Sequence, residues 1–557
     1  MKIKSIYILM SALFIVTACN HLDFDESTGE SKEFFYSYFD KTTSLVNHHY
    51  SYLYQDFGVL DGAMLDCATD DAEYVYTNSK IQNFNNGIWS ALKPLDTRWN
   101  ESYSAIRSIN DFLASYANAD FSRFENNKDY AERLKLMESL PYEARLLRAI
   151  YYFDLAKRYG AIPMPLTVLT IDEANSISAT PFTEVINFIV SECNATAAKL
   201  PEVYTQDVGE TGRVTKGVAM ALKSRALLYA ASKLHNANSD VEKWKQAASA
   251  ALDLMNSGLY QLEGNINTVV TNKITSASNE LIMVRRNQQS NAFERKNFPI
   301  GYEGGGTGTC PTQNLVDAFQ TINGYDVMLT ENGWESNDPE FDAATPFANR
   351  DPRLRKSVLV NNDQFKGRQL ECFQGGQDGA PTQGASITGY YLRKYIQETV
   401  DLTPGIESKE YHHWIVFRYA EILLNYAEAM NEAFGPDYID GSFTISAREA
   451  LNMVRTRATM PAISPGLSAE EFTAVLRQER RVELAFEGHR FWDIRRWMIG
   501  EQTQKQIYGA DIQRTDNAVT YSLKTIENRV WSEKMNLYPV PQQELYINPN
   551  LVQNQGW

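Results

Sequence analysis

Cysteine is scarce in this chain and nowhere paired locally. Cys67, Cys193, Cys310 and Cys372 lie about sixty or more than a hundred residues apart, with no C-x-x-C. That excludes a local zinc or dithiol motif and leaves buried thiols or a long-range disulfide open. Positive charge is also in deficit: 53 Lys and Arg against 69 Asp and Glu give a net charge of −16. Nucleic acid, which needs a basic footprint, is thereby excluded as a partner. Beyond the first residues, no apolar run approaches the ~20 residues that span a bilayer. H-E-x-x-H, G-x-S-x-G and Walker loops are absent, and the Gly304–Gly308 run lacks a following G-K-[ST]. The adjacent pairs His48-His49 and His412-His413 are not ready metal clamps, because neighbouring side chains point to different sides. No metal and no cofactor is expected.

What is present suits a folded body with a sizeable core: 557 residues, 43% apolar and 22% charged. Aromatics are abundant, with 31 Tyr, 26 Phe and 9 Trp, and Tyr and Trp suit half-exposed sites. At the start, Lys2 and Lys4 precede an apolar run, Ser5 to Val16, of secretory-signal length. Val16-Thr17-Ala18-Cys19 resembles the bacterial lipobox. Residues 1–18 are therefore expected to be a signal peptide and Cys19 a lipidated first residue; an ordinary cleaved signal with a chance cysteine is the alternative. The acidic stretch 19–31 reads as a flexible tether.

From Lys32 to about 258 the pattern is helical. Pro141 is expected to open a helix carrying Leu146, Ala149, Ile150 and Phe153 and stopping at Gly160. Thr180-Pro181 is expected to start a helix over 181–199. Val218, Ala221, Leu222, Ala226 and Tyr229 share one face of the next, with Trp244–Met255 as its antiparallel partner. Small Ala at close crossings and short connections give these pairs the style of tetratricopeptide (TPR) hairpins without the consensus repeat. Between 259 and 412 the helical period fades and glycine crowds in, which marks a loop-rich region. From 413 to 557 helices return: one beginning at Trp414, with Ile422, Leu423, Tyr426, Ala427 and Met430 as its stripe, one over 446–457, and one opened by the Ser468-x-x-Glu471 capping box and running through 486. The reading is a mainly α protein of TPR-like hairpins carrying loops with minor β, residues 32–557 forming one body.

Candidate chemistry is thin. Asp70-Asp71 is an acidic doublet near Tyr74 and Tyr76. It reads as capping, as an acceptor for sugar hydroxyls, or as part of a catalytic pair whose second carboxylate would lie ~5–10 Å away. The Gly304–Gly308 run reads either as backbone that approaches a ligand or as flexibility. The segment Glu479 to Trp497 sets Glu and Arg at helical spacing, as in a buried polar joint between helices.

That segment resembles a motif of the SusD/RagB family of Bacteroidetes surface lipoproteins, R-R-x-E-L-x-x-E-G-x-R-x-x-D-x-x-R-W, over 480–497. Leu537-Tyr538-Pro539-Val540-Pro541 with the ending Asn548 to Trp557, Pro311-Thr312-Gln313 through Phe319, Asp351-Pro352-Arg353-Leu354, Glu143-Ala144-Arg145 through Gly160, and Phe417-Arg418-Tyr419-Ala420-Glu421 are similar to further family elements, in family order. The resemblance implies four TPR-like helix pairs and a non-catalytic protein. Such a protein captures an oligosaccharide and acts as a lid on a SusC-like TonB-dependent transporter at the outer face of the outer membrane. A peptide or glycoconjugate ligand is the alternative; a surface glycoside hydrolase is a more distant one. In the family, ligand residues come from a loop in the N-terminal third and a mid-chain loop, here about 66–99 and 298–310. The resemblance thus points to Asp70, Asp71, Tyr76, Trp89, Tyr302 and Cys310, with Trp89 and Tyr302 as stacking plates and Trp99 as packing.

Overall fold

The computed structural model describes residues 31–202, 212–270, 278–516 and 518–557. Cys19, the signal segment and nearly all of the tether lie outside the described residues. Among the described residues no helix is long and apolar enough to cross a membrane.

Helices dominate. The N-terminal half holds α1 (Phe39–His49), α2 (Trp99–Tyr116), α3 (Tyr130–Tyr159), α4 (Phe182–Ala197), α5 (Lys216–Ala231) and α6 (Val241–Asn256). After the short α7 (Ala292–Asn297) come α8 (Tyr419–Phe434), α9 (Ala447–Arg457), α10 (Ala469–Glu483) and α11 (Arg490–Arg496). Successive helices stack in order, α2 on α3 through to α5 on α6, and α6 packs on α8, which carries α9 and α10. Eight of these helices, α1–α6, α8 and α9, supply four pairs in the TPR-like manner. Alanine makes the close approach possible: Ala219, Ala221 and Ala226 on α5 and Ala247, Ala248 and Ala251 on α6 are all buried.

Local chemistry sets the ends. Ser446 and Ser468 each form a complete capping box, with Glu449 and Glu471. Pro141 does not open α3 but lies inside it. Proline removes the bond to the carbonyl four residues back, and the Tyr116 hydroxyl donates to that carbonyl, Met137 O, at 2.6 Å. The helix expected from residue 181 starts at Phe182, and α10 ends at Glu483, where a turn with Phe486 at φ +61° and Gly488 at φ +73° redirects the chain into α11.

The strands come in antiparallel pairs. In chain order they are β1 (Ala72–Tyr74), β2 (Leu281–Arg285), β3 (Thr309–Pro311), β4 (Val327–Thr330), β5 (Gly333–Ser336), β6 (Trp414–Arg418), β7 (Gln506–Thr515) and β8 (Ala518–Asn528), with three shorter two-residue strands paired elsewhere and Tyr391–Leu392 among the paired segments. β1 pairs with β3, β2 with β6, β4 with β5 and β7 with β8. The helical run expected to begin at Trp414 is thus a strand for its first five residues. Ile415, Val416 and Phe417 favour a pleated surface, and α8 begins only at Tyr419.

The charged segment of α10 and α11 is the buried joint that its spacing suggested. Arg418, at the end of β6, donates to Glu280 at 2.7 Å, Glu483 at 2.6 Å and Glu487 at 2.6 Å. Arg457 and Arg353 also reach Glu483, Lys394 reaches Glu487 at 2.6 Å, and Arg455 holds Glu479 at 2.9 Å. Arg496 bridges Asp493 and Glu428, tying α11 to α8. Burial alone would raise Glu483, but Arg457, Arg418 and Arg353 outweigh it and hold the carboxyl well below its usual range.

Candidate functional site

The two loops singled out in the sequence meet as a ladder. β1 and β3 pair with Ala72 opposite Pro311, Glu73 opposite Cys310 and Tyr74 opposite Thr309. The pairing continues outward, because Val75 N donates to Gly308 O at 3.0 Å and the Tyr76 hydroxyl donates to Gly306 O at 3.1 Å. A third segment closes in where the Thr307 hydroxyl donates to Gly384 O at 2.6 Å. Three loops, 74–80, 300–308 and 380–386, therefore converge on one edge of the molecule.

The residues lie at very different depths. Tyr76 is 46% exposed and rests edge-on against Tyr74, with ring centroids 5.4 Å apart. Thr77, Asn78 and Lys80 follow it at the surface, and Glu303, Thr382 and Gln383 are exposed on the neighbouring loops. Tyr302 is half-buried. Its hydroxyl donates to Phe365 O at 2.9 Å, its ring packs edge-on against Phe365, and Arg368 covers it at 3.9 Å while pairing with Asp378. Burial pushes the Tyr302 hydroxyl up to about 12, against the pull of Arg368.

Four expected site residues point inward. Trp89 is only 2% exposed. It sits among Phe84, Tyr538 and Trp557 with ring centroids 4.6, 4.8 and 4.7 Å away, so it is a core residue and not a plate. Asp70 is buried in a fork with Arg490, at 2.8 Å on both oxygens, and also meets Arg481 at 3.0 Å. Asp71 is held by Arg481 at 2.6 Å. The doublet anchors the loop to α10 and α11 and does not offer its oxygens to hydroxyls. Burial opposes ionisation of Asp70, but Arg481 and Arg490 prevail and hold it at about 2. Cys310 is fully buried in β3, its thiol raised to about 12 by burial. The four described cysteines are free.

The glycine run has a third explanation that neither reading contained. A Cβ on Gly305 would meet Pro299 O at 2.4 Å, one on Gly306 would meet Arg295 O at 2.7 Å, and one on Gly308, at φ +51°, would meet Lys296 O at 2.5 Å. These glycines let the loop lie against the backbone around α7, its own support. What the sequence did not show was the partners: Arg481 and Arg490 for the Asp doublet, Arg368 for Tyr302, and the 380–386 segment beside them. The Arg residues were visible in the family motif, though read there as joints between helices. Among the described residues, no group of acids, histidines or cysteines is arranged to hold a metal ion.

Comparison with known proteins agrees with this construction. A model of the SusD family matches residues 271–557, and a family model described as "Starch-binding associating with outer membrane" matches residues 25–228. SusD-like protein P2 of Formosa agariphila is 24% identical over 481 residues, 85% of this chain and 82% of that protein. Among solved structures, a SusD-like protein from Bacteroides fragilis superposes with a TM-score of 0.79 at 26% identity, covering 96% of this chain and 99% of that one. A SusD-like carbohydrate binding protein from the same species gives 0.73 at 25%, covering 93% and 100%. A laminarin binding SusD-like protein, 21% identical with a TM-score of 0.59 and covering 93% and 99%, shares the fold. With both halves matched in order and the motif of 480–497 forming the buried joint, the chain belongs to the SusD family.

Proposed function

We propose that this protein is a cell-surface lipoprotein, anchored through Cys19 in the outer membrane. There it captures oligosaccharides at the edge built from loops 74–80, 300–308 and 380–386 and passes them to a SusC-like TonB-dependent transporter as its lid. The observation that carries the reading is the β1–β3 ladder, which joins the two family ligand loops and leaves Tyr76 as an exposed aromatic at their meeting point. An aromatic face accepts the C–H side of a sugar ring, and burying ~60 Å² there contributes about 1.5 kcal/mol. Asn78, Lys80, Glu303, Thr382 and Gln383 supply polar groups for hydroxyls within the same edge. Such a site binds in the micromolar to millimolar range, suited to cargo that must be released.

The role is binding without catalysis. The carboxylates nearest the ladder, Asp70, Asp71 and Glu73, are buried in ion pairs with arginine, unlike a general acid facing a substrate. Affinity electrophoresis against a polysaccharide panel that includes starch and laminarin tests the reading. Retardation by at least one glycan, with no products released, is expected. Retention of none, or hydrolysis of one, would overturn it.

A further inference from the structure

Glu73 lies in β1, three residues before the exposed Tyr76, and meets Glu527 of β8 behind the candidate site. Glu73 Oε1 accepts from the Tyr74 amide at 2.8 Å and from the Gln82 side chain at 2.6 Å, while Oε2 accepts from Arg529 at 2.5 Å. Arg529 Nε donates to Glu527 at 2.7 Å, and the two carboxyls are within hydrogen-bonding reach of each other. The other Arg529 donors go to the carbonyls of Cys67 at 3.1 Å, Thr69 at 2.5 Å and Ala72 at 3.2 Å. Among the described residues no second cation comes within ion-pair distance of either carboxyl.

Among the described residues the surroundings offer no other neutralising charge. Cys67, on the turn before β1, and Cys310, opposite Glu73 in β3, face the pair with thiols that burial raises. Gln82 and Gln504 are neutral amides, and the nearby Lys505 is surface-exposed and pairs with Glu501 at 2.8 Å. Two carboxylates against one guanidinium leave a surplus negative charge beside Glu73 and Arg529, which are almost fully buried, while the Glu527 side chain is 26% exposed.

We propose that Glu73 and Glu527 share one proton, and that its loss weakens the hold of the β7–β8 hairpin on β1, making the Tyr74–Tyr76 segment pH-sensitive. The proton resides on Glu527, because Glu73 already accepts three hydrogen bonds that favour its anionic form. Burial and the Glu73 carboxylate raise Glu527 to about 7. With the folded value above the ordinary one, the stabilisation is complete below about pH 4.5 and fades as pH rises towards 7. The coupling to the site runs through Glu73, which holds the Tyr74 amide, and through the Tyr74 ring against Tyr76. Only its bearing on ligand rests on the proposed function; the proton itself is read on the free protein.

Glu527→Gln puts an amide donor where the shared proton sits, so melting is compared with wild type from about pH 5 to about pH 8. The variant is expected to match wild type at the acid end and to gain about 1–2 °C over it at the alkaline end, while Glu501→Gln, an exposed control, shows no such divergence. Hydrogen exchange of peptides covering 72–76, corrected for intrinsic rate, should accelerate with pH in wild type and not in Glu527→Gln. Asp56 and Asp66, which burial also raises, contribute to both proteins, so the infrared test is the wild-type-minus-Glu527→Gln difference, in which the band of a protonated carboxylic acid should be present at about pH 6 and lost by about pH 8.5. A pH-independent difference between variant and wild type, or absence of that band at the lower pH, would overturn the proposal.

Discussion

Trp89 shows what a single residue does and does not reveal. Its turn context was legible: Asn86 accepts from the Ile88 amide at 3.0 Å and Gly87 sits at φ +77°. Its burial was not, because Tyr538 and Trp557, which enclose it, lie more than four hundred residues later in the chain. Asp70 and Asp71 have the same history, their arginines arriving from α10 and α11. Tyr76 needed no distant partner to be exposed and remains the accessible aromatic. Trp89→Ala is therefore expected to destabilise the fold by about 3–5 kcal/mol through the cavity it leaves. Chemical denaturation checks this, and an unchanged midpoint would mean that the indole is not part of the core.

Elements whose signals are local were legible before the structure. The Ser468 capping box and the α5–α6 pair follow from spacing and end chemistry, whereas the equally local box at Ser446 was read only as a helix over 446–457. The β7–β8 hairpin went unread, although Val519, Tyr521 and Leu523 alternate with polar residues at the two-residue period of a half-buried strand. Pro141 misled because its cost is offset by a hydroxyl from another helix. In the joint, removing one partner leaves a buried charge unpaired, so Glu483→Ala should cost about 3–5 kcal/mol; a melting temperature equal to wild type would contradict the joint. The anchor at Asp70 adds a pH signature. Its folded value lies below the ordinary carboxylate range, so its stabilisation is full above about pH 4 and is lost as pH falls towards 2. In acid titration, the stability difference between wild type and Asp70→Asn should shrink through that window; a difference that stays constant would place Asp70 outside the ion pair.

At the scale of the whole molecule, order along the chain was the strongest signal. The family models match 25–228 and 271–557, and the structure stitches these parts together through α5 on α8, β1 on β3 and Arg481 on the Asp doublet. The candidate ligand edge was legible only as loops, since which loop residues face solvent depends on how the two halves close. Membrane attachment belongs to this scale too. If Cys19 carries the lipid, Cys19→Ala should move the protein from the membrane fraction to the soluble one with its melting unchanged. Continued detergent-dependent partitioning would place the tether elsewhere.

The claim that the loop edge around Tyr76 binds glycan is tested most directly by isothermal titration of wild type, Tyr76→Ala and Trp89→Ala with a glycan retained in the panel. The account predicts that Tyr76→Ala melts like wild type and binds about tenfold more weakly, as expected for the loss of one stacking surface. Unaltered affinity in a folded Tyr76→Ala would contradict it and move the binding surface away from the β1–β3 ladder.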